Sequence, residues 1–466
     1  VTEHCQIAVI GAGPGGYVAA IRAAKRGASV ILIEKDSVGG TCLNRGCIPS
    51  KALISAAKRY HILQTASRWG FSIGNVTFDW QSVVRRKDAV VTQLRRGIEL
   101  LLKKTRVNLV RGTARLLNAH EIGVETPDKM EVIQADKIIL ATGAETSSIP
   151  SFPIDHNLIL TSDDALSWES LPSSLIIVGG GVIGCEFAML FSTFGVKITL
   201  IEALPSILAL TTLDDVIISR LESLMKRSGI ALMTNASLKS IAHDQTKKGV
   251  IAKFEKGEGI SADKALISIG RKPLTGGLGL EEAGIALSSH GSGVATDEKM
   301  RTNVGGIYAI GDMTGLWQLA HVASYQGIIA ADDSTGHEHP SLMKDIVPSC
   351  IFTEPPVATV GLSEKEAEKR GIETMAGEFP YRALGKTIAS DEAEGLIRVI
   401  VEKKTARIIG AHILGEGAPE MIHEFVLAIQ HNLKTDDLMD IIHAHPTYSE
   451  GITEACESIY GLSIHI

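Results

Sequence analysis

An α/β architecture is predicted, with two Rossmann-like dinucleotide-binding units and a C-terminal α+β unit, and three observations predict it. The chain opens with a short apolar run, a Gly-rich turn, a helix-compatible stretch and a second apolar run over residues 6–34. The same pattern returns over residues 175–202. From about Val347 the composition changes to short strand-like runs, with no third glycine fingerprint. A length of 466 residues suits about three domains.

The first unit starts at Gln6-Ile-Ala-Val-Ile10, turns through Gly11-Ala-Gly13-Pro-Gly-Gly16, and reaches Ser29-Val-Ile-Leu-Ile-Glu34 after a helical stretch ending near Gly27. Glycines in such a turn let the backbone approach a pyrophosphate, and the helix N-terminus favours its negative charge. An acid closing the second strand can accept from ribose hydroxyls. Gly11, Gly13, Gly16 and Glu34 are therefore candidate cofactor contacts. The second unit repeats the set with Gly179, Gly181, Gly184 and Glu202. Each unit is closed by a similar later element, Ile138-Ile-Leu-Ala-Thr142-Gly143 in one and Ala265-Leu-Ile-Ser-Ile-Gly270-Arg271 in the other. Two sites imply two different cofactors. Glu202, with no arginine in Ala203-Leu-Pro-Ser-Ile207, favours NAD over NADP, because a carboxylate repels a 2′-phosphate. For the first unit the glycines alone do not separate FAD from NAD.

Composition narrows the partners. The net charge of −7 and pI of about 6.1 argue against nucleic acid, and no Lys/Arg-rich run stands out. The N-terminus shows no signal-peptide pattern, since Val1-Thr-Glu-His-Cys leads directly into a strand, and a cytoplasmic location is expected. The most apolar stretch, residues 175–196, is crowded with glycines and carries Glu186, so it reads as a buried strand-turn-helix rather than a membrane span. Six cysteines do not make a disulfide framework in so long a chain. Cys5, Cys185, Cys350 and Cys456 read as small buried hydrophobes.

Cys42 and Cys47 are different. They lie in Gly39-Gly-Thr-Cys42-Leu-Asn-Arg-Gly-Cys47-Ile-Pro-Ser-Lys51. Five residues of regular helix would separate them by about 7.5 Å along the axis, beyond a normal disulfide span, so the intervening segment is expected to be irregular. Gly46 and Pro49 supply the means. A sulfur at a helix N-terminus has a lowered thiol pKa, which suits thiol exchange. A zinc site is disfavoured, because its cysteine spacing is shorter and His443 and His445 do not complete a common ligand pattern.

This segment, placed shortly after a first dinucleotide unit, resembles the pyridine nucleotide-disulfide oxidoreductases, and its Ile-Pro-Ser-Lys-Ala-Leu ending is most similar to their dihydrolipoyl dehydrogenase branch. The likeness covers essentially the whole chain. It implies FAD in the first unit and NAD in the second, divided as residues 1–146 (FAD, first part), 147–271 (NAD), 272–346 (FAD, second part) and 347–466 (interface domain). It implies that Cys47 faces the flavin and Cys42 exchanges with substrate. Lys51 is implied to lie near the flavin and pair with Glu186. Thr302-Asn-Val-Gly-Gly-Ile-Tyr-Ala-Ile-Gly311-Asp312 resembles the second FAD motif, with Asp312 on the ribitol, and Ala320-His321 resembles the start of a helix aimed at the flavin. Thr142 and Gly143 complete the expected FAD contacts, and Gly270 those of NAD.

Oxidising a dithiol needs a base, and His443-Ala-His445-Pro446-Thr-Tyr-Ser-Glu450 offers one. By resemblance, His445 and Glu450 are the acid/base dyad, supplied across a two-fold homodimer, while His443 supports the site. The resemblance further implies partners bearing lipoyl domains, either a dihydrolipoyl acyltransferase or the glycine cleavage H protein. Three residues depart from the family pattern. Arg45 either lowers a thiol pKa or faces solvent, Tyr448 stands where a Leu-like residue is usual, and Leu274 where a polar one is. The rivals are a glutathione-type disulfide reductase on NADPH, disfavoured by Glu202 and Ile-Pro-Ser-Lys, and mercuric reductase, disfavoured because no cysteine pair follows the His-Pro-Thr tail. A non-catalytic structural flavoprotein subunit is the rival from another class.

Overall fold

The computed structural model describes residues 3–244, 248–289 and 293–466, so Val1 and Thr2 of the expected strand lead-in lie outside it. The first unit runs β1 (Glu3–Ile10), α1 (Pro14–Lys25), β2 (Val30–Glu34), α2 (Gly40–Arg45), α3 (Cys47–Gln64), α4 (Trp80–Lys104), β3 (Asn108–Arg111), β4 (Thr113–Leu116), β5 (Glu121–Glu125) and β6 (Met130–Leu140). Its sheet has the order β3-β2-β1-β6-β5-β4, with β1 parallel to both β2 and β6. Ala8, Val9 and Leu32 are fully buried, as continuous apolar strands covered on both faces require.

The second unit follows with β7 (Ala144–Thr146), β8 (Ile159–Leu160), α5 (Ser162–Ala165), β9 (Ser174–Val178), α6 (Val182–Thr193), β10 (Lys197–Ile201), α7 (Asp215–Arg227) and β11 (Ala231–Met233). An antiparallel trio, β12 (Leu238–Asp244), β13 (Gly249–Phe254) and β14 (Ile260–Ala262), precedes β15 (Lys264–Ile267) and β16 (Arg271–Pro273). The parallel sheet has the order β11-β10-β9-β15-β8. β9 therefore lies between β10 and β15, as β1 lies between β2 and β6. β16 pairs antiparallel with β7, making a two-stranded ribbon where the chain leaves and re-enters the first unit. β17 (Ile307–Ala309) then joins β6, and α8 (Ala320–Ser334) packs along α1. The two helices touch through backbone: a Cβ at Gly327 would meet Gly15 O at 2.5 Å, and one at Gly15 would meet Ala323 O at 2.9 Å.

The last unit comprises β18 (Ser349–Ile351), β19 (Val357–Gly361), α9 (Glu364–Lys369), β20 (Thr374–Pro380), α10 (Gly385–Ala389), β21 (Leu396–Glu402), β22 (Ile408–Leu414), α11 (Ala418–Gln430), α12 (Thr435–Met439) and α13 (Glu450–Ser458). Its sheet is antiparallel, in the order β18-β19-β22-β21-β20. β22 begins two residues after Ala406, which adopts φ +58° in the turn between β21 and β22. Cys5, Cys185 and Cys456 are buried, whereas Cys350 is half-buried. Among the described residues no helix is long and apolar enough to cross a membrane.

Candidate active site

The redox segment is built on the first glycine turn. A Cβ at Gly40 would lie 2.6 Å from Gly13 Cα, so backbone meets backbone where β2 hands over to α2. Asn44 Nδ2 donates to Val38 O at 3.0 Å and to Gly40 O at 2.9 Å, holding α2 down. The irregularity expected between the cysteines is confined to one residue. Cys42 sits within the short helix α2, Gly46 (φ −142°, ψ −114°) breaks the path, and Cys47 begins the 18-residue α3. That break brings the two thiols into hydrogen-bonding contact and leaves them unequal. The Cys42 hydrogen bond, with help from the Lys51 charge, lowers the Cys47 thiol to about 7 against the opposing effect of burial. Cys42 is pushed up by its bond to the Cys47 sulfur and by burial. Both are free thiols. The arrangement is a thiolate at a helix N-terminus beside a protonated partner.

Arg45 faces solvent, its side chain 44% exposed, and does not tune a thiol. Its guanidinium binds Asp36 at 2.8 Å and lies 3.5 Å from Asp163, and it is not among the groups that move either thiol.

Lys51, one turn beyond Cys47, places Nζ 2.9 and 2.8 Å from the two carboxylate oxygens of Glu186, which is buried in α6. Phe352, which the sequence does not single out, completes this pair. Its backbone N–H donates to Glu186 Oε1 at 2.9 Å, and its ring lies under Lys51 Nζ, 4.6 Å from the centroid. Three units of the chain thus meet at one ammonium group.

The two glycine turns solve the same problem with matching atoms. Gly11 (φ +99°) and Gly179 (φ +105°) adopt left-handed backbone, and Gly16 and Gly184 each press against the preceding turn, with a Cβ only 1.8 Å from Gly11 O and 1.9 Å from Gly179 O respectively. The middle glycines are open: a Cβ at Gly13 would meet only Gly40 Cα at 3.9 Å, and one at Gly181 nothing within 4 Å. Both cap 12-residue helices without a side-chain cap, leaving N–H groups for a phosphate. Glu34 accepts from Ala12 N at 2.7 Å and Asp36 N at 2.8 Å; Glu202 accepts from Gly180 N at 2.6 Å and Leu204 N at 2.7 Å. Each acid therefore braces its own turn.

Asp312 is half-buried, its carboxyl shares no hydrogen bond with another side chain among the described residues, and burial pushes it up against the opposing Arg271 charge. Such an acceptor fits a polyol. Gly311 N donates to Gln326 Oε1 at 2.7 Å, and Thr142 Oγ1 donates to Leu274 O at 2.8 Å. Gly143 (φ +76°) and Gly270 (φ +105°) have open space at the Cβ position. Ala320 is the first residue of α8, whose N-terminus also lacks a side-chain cap. His321 differs from a simple cofactor contact. Its Nε2 pairs with Pro348 O at 2.9 Å, so that ring nitrogen is already engaged within the protein. These orphaned groups and the two open turns fit two dinucleotides.

In the tail, His445 Nδ1 lies 2.8 Å from Glu450 Oε1, and Thr447 N donates to Glu450 Oε2 at 2.7 Å. These contacts hold Glu450 below the usual carboxylate range despite burial. The His445 side chain is 77% exposed. Among the described residues it shares no hydrogen bond with the cysteines or Lys51. His443 is held between Glu424 at 3.1 Å and Thr453 at 3.0 Å, a supporting position. Tyr448 stacks on Tyr381 and donates its hydroxyl to Glu392. Around this tail Ile442 (98% exposed), Ile464 (77%) and Leu462 (57%) face outward.

An asymmetric dithiol between two dinucleotide turns defines a disulfide oxidoreductase of the nicotinamide-linked flavoprotein class. The chain belongs to the pyridine nucleotide-disulphide oxidoreductase family, whose profile matches residues 5–327, with the family's dimerisation domain over residues 347–456. Dihydrolipoyl dehydrogenase from Chlamydia pneumoniae is 42% identical over 97% of this chain and 96% of its own length. Dihydrolipoyl dehydrogenase from Geobacillus stearothermophilus is 39% identical over 98% and 97%. Among solved structures, LpdA from Mycobacterium tuberculosis superposes with a TM-score of 0.91 at 29% identity, covering 98% of this chain and 99% of that one.

Proposed function

We propose that the chain is a dihydrolipoyl dehydrogenase acting as a homodimer in the cytoplasm. It oxidises a protein-bound dihydrolipoyl dithiol to the cyclic disulfide and reduces NAD+ to NADH, with one proton released. The observation that supports this reading most is the inequality of Cys42 and Cys47 beside the Lys51–Glu186 pair. When oxidised, the pair would be attacked at Cys42 by a substrate thiolate. The second substrate thiol then displaces Cys42, giving an oxidised substrate and a reduced enzyme pair. His445, oriented by Glu450 and supplied by the second subunit, takes the thiol proton at its free Nε2.

FAD, held by the Gly11–Gly16 turn, Glu34 and Asp312, would supply the two-electron carrier that joins dithiol oxidation to nicotinamide reduction. The second turn with Glu202 would hold NAD, its carboxylate opposing the 2′-phosphate of NADP. The dithiol is carried by a lipoyl domain of an acyltransferase or of the glycine cleavage H protein.

The test is anaerobic turnover of purified enzyme with dihydrolipoamide and NAD+, beside the Cys42→Ser and Cys47→Ser variants. NADH formation by the wild type, lost in both variants and slower with NADP+, is expected. A folded, flavin-bearing wild type that ignores dihydrolipoamide yet reduces another disulfide with NADPH would overturn the assignment.

A further inference from the structure

The net charge of −7 conceals a strong segregation. Residues 40–106, which contain α2, α3 and α4, hold thirteen Lys/Arg and three Asp/Glu, a net charge of +10, leaving −17 for the remainder. No basic run reveals this, because the cations are spread at helical spacing along the hairpin that carries the redox pair. Inward-facing members are neutralised, Lys51 by Glu186 and Lys58 by Glu416. On α4, Arg85 pairs with Asp79 and Lys87 with Asp88. Arg86, Arg96, Lys103, Lys104 and Arg106 are exposed and have no ion-pair partner among the described residues.

These cations share one face. α4 buries Val91, Ile98 and Leu102 and turns Arg86, Arg96, Lys103 and Lys104 outward, together with Leu94, Leu100 and Leu101, which are 41%, 67% and 49% exposed. The buried side shares a core with Leu43, the neighbour of Cys42, so the basic face stands about one helix diameter, ~10–12 Å, from the redox segment.

We propose that this face of α4 docks an acidic carrier protein and so delivers its dithiol arm to Cys42; the proposal rests on the functional reading above. A second copy of this chain does not fit the face, because an isologous contact would set these unpaired cations against their own twins. The unpaired cations steer a negatively charged partner by long-range attraction, and the leucines give it an apolar anchor on arrival. A bilayer is the less suitable occupant, since it presents no dithiol.

The test compares three substrates with the flavin-loaded enzyme and NAD+. They are a dihydrolipoyl domain of net negative charge, the same domain with surface Glu→Gln changes, and neutral free dihydrolipoamide. Each is assayed on the wild type and on the exposed double variants Arg96→Glu/Lys103→Glu and Arg86→Glu/Lys104→Glu. The expected result is a fall of about tenfold in kcat/KM for the acidic domain in each variant, and a similar fall as salt is raised. Free dihydrolipoamide should be unaffected and the Glu→Gln domain much less affected. Equal kcat/KM for the acidic domain in wild type and variants overturns the proposal. So does wild-type sedimentation with phosphatidylserine vesicles that the variants lose while carrier kinetics stay unmoved. Failure of the wild type on free dihydrolipoamide instead strikes at the functional reading.

Discussion

The two glycine turns are nearly the same device, yet what surrounds them differs. In the first unit, α1 is clamped from outside: Arg22 on α1 and Arg26 at its C-terminal cap reach the fully buried Asp332 side chain of α8 at 2.7 and 2.8 Å. In the second unit α6 carries no basic residue and is buried from Gly184 to Phe191, with Trp80 and Trp168 against Phe191 and Trp80 also against Phe194. The segment after β2 carries the cysteines and folds back onto Gly13; the segment after β10 brings Ile207 against Gly180. The comparison teaches that the turn is a reusable cradle, while chemistry is assigned by the insert that follows the second strand and by the helices that press on it.

The same substitution in the two turns should produce different losses. Gly16→Ala and Gly184→Ala each force a Cβ onto a carbonyl oxygen, an overpacking on the order of 3 kcal/mol. Gly16→Ala is expected to purify without flavin, whereas Gly184→Ala keeps the flavin spectrum and loses NAD+ reduction. Absorbance spectra and turnover decide, and identical losses would remove the functional division between the turns.

Next in size is the link from one unit to the other through Lys51. Its charge lowers the Cys47 thiol and that of Glu186 raises it. Lys51→Met should therefore move the pH midpoint of Cys47 alkylation in reduced enzyme up from about 7, and Glu186→Gln should move it down. Shifts of the same sign would refute the electrostatic account.

The α1 clamp predicts an acid sensitivity that α6 lacks. Burial works against the Asp332 charge, but the two arginines hold its carboxyl at about 2, below the ordinary 3.8. Its stabilisation, about 2 kcal/mol, is present above about pH 4 and is lost as pH falls toward 2. Asp332→Asn should cost a similar amount in urea unfolding at neutral pH and flatten the acid limb. The smallest effect is expected at Glu202. Glu202→Ala should shift the NAD+/NADP+ preference by about tenfold toward NADP+, ~1.4 kcal/mol, read as a ratio of kcat/KM values.

What the sequence revealed follows from distance along the chain. Turns, caps and the Cys47-to-Lys51 step are local geometry, so spacing and residue type specify them. Phe352 was invisible because it meets Glu186 from another unit. Asp163 could not be assigned to Arg45 for the same reason, and nothing local to His321 shows its bond to Pro348. The irregular path between the cysteines is legible from their spacing, and one glycine at position 46 does the work of a loop. The basic hairpin is hidden in the net charge because a chain-wide sum averages opposite surfaces. That His445 shares no hydrogen bond with the cysteines among the described residues has no local signature either; it lies in the segment that matches the family's dimerisation domain, residues 347–456.

The ribbon of β7 and β16 bears on how the protein is made. Between β6, which ends at Leu140, and β17, which begins at Ile307, the ribosome must produce the whole second unit before the first sheet can receive its last strand. At about 5–20 residues per second that interval is about 10–30 s. During it the nascent first unit exposes one edge of β6, so the inserted unit, free to close on its own ribbon, is expected to be the earlier of the two to finish.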